Sequence, residues 1–211
     1  MIRSGEVRVW RVRLDESPQD WFPAPTAGEE ARAARFRSEA ARHRYLRSHA
    51  ALRAILAAAT PARLDFAVTE KGKPYLPGAP GLRFSLSRSH GMALVGIALE
   101  VDVGVDVELL RPMPDHAVIA ERFFPPSESE ALRLTPAVER DRDFFRRWTR
   151  LEAMLKARGV GLHGAGVELP GEWTVWEIEV DEDFAGAAAA TSGNMRLLVH
   201  DFSPDCGAGW P

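Results

Sequence analysis

The chain has 211 residues, 45% of them hydrophobic, with 27 basic side chains against 30 acidic ones and a formal charge of −3. That length can bury a real core in one large or two small domains, and the near-even charge balance argues against a dedicated nucleic-acid binder, which needs a strongly basic field. A single cysteine, Cys206, excludes an intrachain disulfide framework and an all-cysteine metal site. Apolar runs are too short to cross a bilayer and Met1–Arg13 holds no apolar signal core, so a cytoplasmic protein without membrane contact is expected.

In chain order, Glu6–Leu14 alternates like a strand, with one clean apolar side at Trp10, Val12 and Leu14. Pro18, Pro23 and Pro25 mark a loop. Thr26–Ala59 lacks proline and predicts one or two helices, opened by the Thr26/Glu29 capping box, with Phe36, Ala40, Tyr45, Leu52, Ile55 and Leu56 as the buried stripe. Short strands are expected at Leu64–Thr69, Leu82–Leu86, Ala93–Leu99 and Gly104–Val107, separated by Gly and Pro turns. A short helix at Asp115–Arg122 follows, then a second capping box at Ser127/Glu130. A longer helix over Glu139–Arg158 is stopped by Gly159. Strands return at Trp173–Val180 and Met195–Phe202, and the alanine-rich Gly186–Gly193 between them reads as a turn. The pattern is α+β or α/β, dividing near Val101–Val103.

Three segments carry chemistry. In Gly104-Val105-Asp106-Val107-Glu108, residues two apart on a strand share a face, so Asp106 and Glu108 present two carboxylates together while Val105 and Val107 point inward. Hard oxygen donors on a rigid strand suit a hydrated Mg²⁺, although Asp-x-Glu taken alone is more often two solvated acids at the end of a strand. In Phe144–Gly159, Glu152 shares a mostly apolar stripe with Phe145, Trp148 and Leu155. Lys156 lies one turn on, which fits either an ordinary exposed ion pair or a metal ligand or base beside a lysine. Gly72-Lys73-Pro74-Tyr75 and Phe84-Ser85-Leu86-Ser87-Arg88-Ser89-His90-Gly91 offer hydroxyls, cations and loop amides that can hold phosphate oxygens, or form a plain turn. A Ser87 or Ser89 nucleophile with His90 has little support, because no Gly-x-Ser-x-Gly elbow surrounds either serine.

Taken in order, Gly-Lys-Pro, Phe-Ser-Leu-Ser-Arg-Ser, Gly-Val-Asp-Val-Glu, Arg-Phe-Phe and Trp-Thr-x-x-Glu-Ala-x-x-Lys-x-x-Gly resemble the 4'-phosphopantetheinyl transferases. The chain length resembles the larger, surfactin-synthetase-activating (Sfp) type rather than the half-length trimeric one. The resemblance implies two similar α/β lobes, residues 1–103 and 104–211, related by a pseudo-twofold axis with a ligand cleft between them. It implies an enzyme, a holo-[acyl-carrier-protein] synthase. Such an enzyme moves 4'-phosphopantetheine from coenzyme A to a serine of an apo acyl or peptidyl carrier protein, with Mg²⁺, and is monomeric. By the same resemblance Asp106, Glu108 and Glu152 bind Mg²⁺, Glu152 is the base and Lys156 faces the reacting phosphate. Lys73, Ser87, Arg88 and, in the N-terminal helices, Arg32 and Arg44 hold coenzyme A. Apolar residues such as Phe123 and Phe124 at an arginine-lined cleft mouth suit docking of an acidic carrier.

The sequence departs from the family pattern at four places. Leu151 stands where a lysine is usual, Ser85 where asparagine is, Arg88 where the histidine of Ser-His-Ser is, and His90-Gly91 where Gly-Asp is common. Leu151 motivates the alternative, a catalytically weak or inactive member that binds carrier protein or coenzyme A. The retained Asp106, Glu108, Glu152 and Lys156 favour turnover over that alternative. They are also fewer acids and histidines than a metal-dependent phosphohydrolase generally gathers.

Overall fold

The computed structural model describes residues 2–15, 23–162 and 169–203; Cys206 lies outside them. Strand β1 (Glu6–Arg13) is followed by helices α1 (Ala27–Ala33) and α2 (Glu39–Ala59), a small hairpin of β2 (Ala67–Val68) and β3 (Pro74–Tyr75), then β4 (Leu82–Ser89), β5 (Met92–Leu99) and β6 (Val103–Leu109). Helices α3 (His116–Phe123), α4 (Pro126–Leu134) and α5 (Arg140–Arg158) come next, and β7 (Thr174–Ile178), β8 (Phe184–Ala190) and β9 (Arg196–Asp201) close the described chain. The mixed α+β composition agrees with the sequence reading.

One sheet has the order β4-β5-β1-β9 and a second β6-β8-β7. Strand β9 runs parallel to β1, so the last strand of the second half completes the first sheet. Leu52, Ile55 and Leu56 of α2 pack on one face of the first sheet with Trp10, Val12, Phe84, Val95 and Ile97. Its other face meets the second sheet through Val7, Val9, Leu94, Val103, Val105 and Val107. Helix α5 covers the far side of the second sheet, laying Ala153 on Ala187 and Ala189. The layers are therefore helix, sheet, sheet, helix.

This layering explains two differences from the sequence reading. Strand β1 is buried on both faces, because a second sheet sits where alternation alone suggested a polar side; Val7 and Val9 are as buried as Val12. The alanine-rich stretch is a strand, not a turn: β8 is the middle strand of the second sheet. Alanine is a poor strand former on its own, but small side chains are what a strand needs when a helix must lie close on one face and a sheet on the other.

The local signals fared unevenly. The Thr26/Glu29 box caps α1: Thr26 Oγ1 accepts from the Glu29 amide (3.3 Å) and Glu29 Oε2 accepts from the Thr26 amide (2.7 Å). Ser38 caps α2 separately, so the region is two helices, and Ala40 is exposed rather than part of the stripe. The Ser127/Glu130 box does not form. Pro126 at the first position starts α4 instead, and Glu130 pairs with Arg133. Of the expected strand Leu64–Thr69, only Ala67–Val68 pairs. Gly159, at φ 66°, ends α5 as expected.

Candidate active site

Strand β6 and helix α5 hold the acidic cluster at a distance set by Gly104. A Cβ there would lie 2.0 Å from the Ala153 carbonyl oxygen and 2.5 Å from the Ala157 amide nitrogen. Only glycine lets α5 approach this closely. The residues just before those two alanines are Glu152 and Lys156, so this contact brings both toward Asp106 and Glu108, which share the Gly104 face of β6.

Asp106 is 3% exposed. Its Oδ1 accepts from Lys156 Nζ (2.6 Å) and from Ser87 Oγ (2.8 Å), and Lys156 Nζ also donates to Ser87 Oγ (2.9 Å). Its Oδ2 is buried without a hydrogen-bond partner. An unpaired carboxylate oxygen in such a place costs free energy unless something cationic or hydrogen-bonding reaches it. Burial pushes the Asp106 carboxyl above its ordinary range, against the pull of Lys156 and Ser87. Burial likewise raises Glu152; Lys156 opposes this, and the negative charges of Asp106 and Glu108 reinforce it. Of the two readings of Lys156, the ordinary ion pair with Glu152 along α5 does not form, since Lys156 reaches across to Asp106 on β6.

Glu108 Oε2 accepts from Ser89 Oγ (2.9 Å) and from the Arg111 guanidinium (3.4 Å). Asp106, with its orphaned oxygen, Glu108 and Glu152 are hard oxygen donors whose chemistry suits a divalent cation. No three acidic or histidine side chains among the described residues stand close enough together to be a finished metal cage. Lys156 occupies Asp106 instead.

The remaining expected site residues fall into separate places. Arg88 lies on the opposite face of β4 from Ser87, its guanidinium 4.9 Å from the Tyr45 ring centre and 5.8 Å from that of Phe36. Burial lowers its proton affinity, with Tyr45 opposing and Arg32 adding to the effect, so the two arginines share one positive field. Arg44 is committed to Asp15 through two bonds of 2.8 and 2.6 Å. Lys73 donates to Asp102 Oδ1 (2.7 Å) and to the Ala157 carbonyl at the end of α5, and burial lowers its pKa against the pull of Asp102. Lys73 lines a cleft of about 680 Å³ with Tyr75, Arg83, Phe84, Asp102 and Arg158. Asp102 is four residues from Asp106, roughly 13 Å of extended chain, so this cleft and the carboxylates mark two ends of the β6–α5 seam.

Leu151 packs beside the aromatic core of the second half, where Phe144 and Trp148 stack at 6.0 Å. Phe124 is buried in the same core, so it serves folding rather than docking; Phe123 is half-buried against Trp148. The sequence assigned no site role to Gly104 or Asp102, and it gave Ser89 a place in a phosphate-holding segment rather than beside Glu108. Ser85, Ser87 and Ser89 alternate on one face of β4 opposite the acidic strand, and that period of two was the available signal for Ser89.

A sequence model of the 4'-phosphopantetheinyl transferase superfamily matches residues 102–202, which span the acidic strand, α5 and the returning strands. The chain is 34% identical over 214 aligned residues to the 4'-phosphopantetheinyl transferase HetI of Nostoc sp. strain PCC 7120, covering 91% of this chain and 90% of that protein. It is 34% identical over 102 residues to a 4'-phosphopantetheinyl transferase of Bacillus subtilis, covering 48% of this chain and 44% of that one. The 4'-phosphopantetheinyl transferase Sfp of Bacillus subtilis strain 168 is 29% identical over 99 residues, 47% of this chain and 43% of its own. With near-full-length similarity to one transferase and the acidic cluster held between β6 and α5, the chain belongs to the 4'-phosphopantetheinyl transferase superfamily and is an enzyme of that class.

Proposed function

We propose that the protein transfers 4'-phosphopantetheine from coenzyme A to a serine of an apo acyl or peptidyl carrier protein, releasing 3',5'-ADP, with Mg²⁺ bound by Asp106, Glu108 and Glu152. The observation that carries this reading is Asp106: a buried carboxylate with one oxygen held by Lys156 and Ser87 and the other left without a partner. Bound there, Mg²⁺ supplies neutralisation of the pyrophosphate charge. Glu152 takes the proton from the carrier serine, directly or through water. The serine oxygen forms a bond to the phosphorus next to pantetheine as the pyrophosphate P–O bond breaks, and the electron pair leaves on 3',5'-ADP. Lys156 stabilises the charge on the departing group.

Arg32 and Arg88, on the Tyr45 side of β4, are the candidate phosphate contacts, since neither has a carboxylate partner among the described residues. Arg44 and Lys73 can take that part only by exchanging Asp15 and Asp102 for phosphate oxygens. On the likeness to the larger, Sfp-type transferases we also propose two related lobes, residues 1–103 and 104–211, with β9 crossing onto the first lobe's sheet, and a cytoplasmic monomer.

The test is to incubate the protein with coenzyme A, Mg²⁺ and a panel of apo-carrier proteins and record intact masses. A gain of one phosphopantetheine on a carrier, lost on chelation, is expected. Coenzyme A binding without any mass gain would instead support the binding-only reading that Leu151 suggests.

A further inference from the structure

Each carboxylate on β6 is held by a serine on β4. Ser87 Oγ donates to Asp106 Oδ1 (2.8 Å) and Ser89 Oγ donates to Glu108 Oε2 (2.9 Å). A serine hydroxyl has one proton to give and lone pairs to receive. Ser87 receives from Lys156 Nζ (2.9 Å), and Ser89 receives from the backbone amide of Leu109 (3.2 Å). Ser89 Oγ also lies 3.4 Å from His90 Nδ1, farther than its 2.9 Å bond to Glu108, so the single proton of each hydroxyl is directed at a carboxylate. The third serine of the row differs. Ser85 Oγ receives from the Val105 amide (3.1 Å) and bonds no acid among the described residues.

We propose that Ser87 and Ser89 are positioning residues for the acidic pair: they orient Asp106 and Glu108 as acceptors facing the cation site. This inference rests on the proposed metal role of Asp106 and Glu108. Ser87 is 7% exposed and its hydroxyl lies between two members of the cluster. Arg88, its chain neighbour, faces the other side of the strand toward Tyr45. The two adjacent residues therefore serve different partners, one the acids and one the basic face. Hydrogen-bond partners behind metal ligands commonly contribute about 10- to 100-fold in metal affinity.

The experiment titrates Mn²⁺ into the free protein, following unbound Mn²⁺ by electron paramagnetic resonance, and measures coenzyme A affinity in chelator by calorimetry. Ser87→Ala and Ser89→Ala are expected to weaken Mn²⁺ binding about 10- to 100-fold, and to weaken it more than they weaken coenzyme A affinity in chelator. Ser85→Ala removes the same kind of amide partner as Ser89→Ala, so it is expected to lower the melting temperature while leaving Mn²⁺ binding alone. Ser89→Thr keeps the hydroxyl and is expected to keep the affinity. Equal Mn²⁺ loss in Ser85→Ala, or none in the other two, would overturn the proposal. So would a Ser87→Ala protein that loses coenzyme A affinity in chelator as strongly as it loses Mn²⁺. Wild-type protein that binds Mn²⁺ but modifies no carrier would sink the proposed transfer and leave the positioning role standing. Carrier modification with Mn²⁺ binding unmoved in the variants would do the reverse.

Discussion

Replacing Gly104 by alanine tests how the site is assembled. The added methyl would sit 2.0 Å from the Ala153 carbonyl oxygen and 2.5 Å from the Ala157 amide, where ordinary contact begins at 3.4 Å. Both obstacles are backbone, so no side chain can swing aside and α5 must retreat by about 1.4 Å from β6. Overpacking of this kind costs about 1–3 kcal/mol, which for a chain of this size lowers the melting temperature by roughly 2–12 °C. The catalytic cost is larger. Glu152 and Lys156 move with the helix, and the 2.6 Å bond from Lys156 to Asp106 stretches beyond hydrogen-bond length. A misplacement of about 1 Å can lower a rate on the order of 100-fold. Rates of carrier modification by intact mass, read beside thermal melts, separate the two effects. Wild-type transfer and melting in Gly104→Ala would refute the claim that this contact sets the geometry of the site.

Glu152→Gln should slow transfer by about 100-fold or more, as loss of a general base does. Burial raises the Glu152 pKa in the folded state, so the folded protein binds the extra proton and its stability falls as pH rises from the ordinary value of 4.5 through the raised one. The glutamine variant should therefore melt higher than wild type at pH 7.5, with the gap closing below pH 4.5, where both side chains are neutral; a gap independent of pH would contradict this. Lys156→Met leaves Asp106 buried and unpaired, at a cost of up to about 3 kcal/mol, moderated because the lysine side chain is 32% exposed. Adding Asp106→Asn should restore most of that stability, and denaturant melts of the four proteins in the cycle would measure it. Arg53, 6% exposed, bonds Glu29 and the carbonyls of Pro23 and Ala24, tying α1 to α2. Arg53→Met should cost about 2 kcal/mol and speed amide exchange over residues 26–36; unchanged exchange there would show that α1 is held by other contacts.

The sequence exposed the chemistry more readily than the architecture. Asp106 and Glu108 lie on one face of a strand because alternation demands it, and Glu152 and Lys156 lie on one helix because spacing demands it. Neither pattern says that Lys156 prefers Asp106 across the seam to Glu152 one turn away; that choice follows from the closeness Gly104 permits. The middle strand of the second sheet was hidden because Ala185–Ala190 has the wrong propensity for a strand, and only its neighbours explain it. The double burial of β1 was hidden for a related reason, since its second cover comes from residues a hundred positions later. Ser87 and Arg88 looked like one phosphate-binding motif when read along the chain. On a strand they point apart, and each takes the partner its own face offers.

Group transfer from coenzyme A at the Asp106–Glu152 cluster fixes the stoichiometry of its products. In one reaction with an apo-carrier, coenzyme A and Mg²⁺, the 3',5'-ADP released is measured against the phosphopantetheine gained by the carrier, for wild type and Glu152→Gln. The wild type should yield the two products one to one, and the variant almost none of either. Release of 3',5'-ADP without carrier gain, or equal turnover by both proteins, would contradict transfer at this cluster.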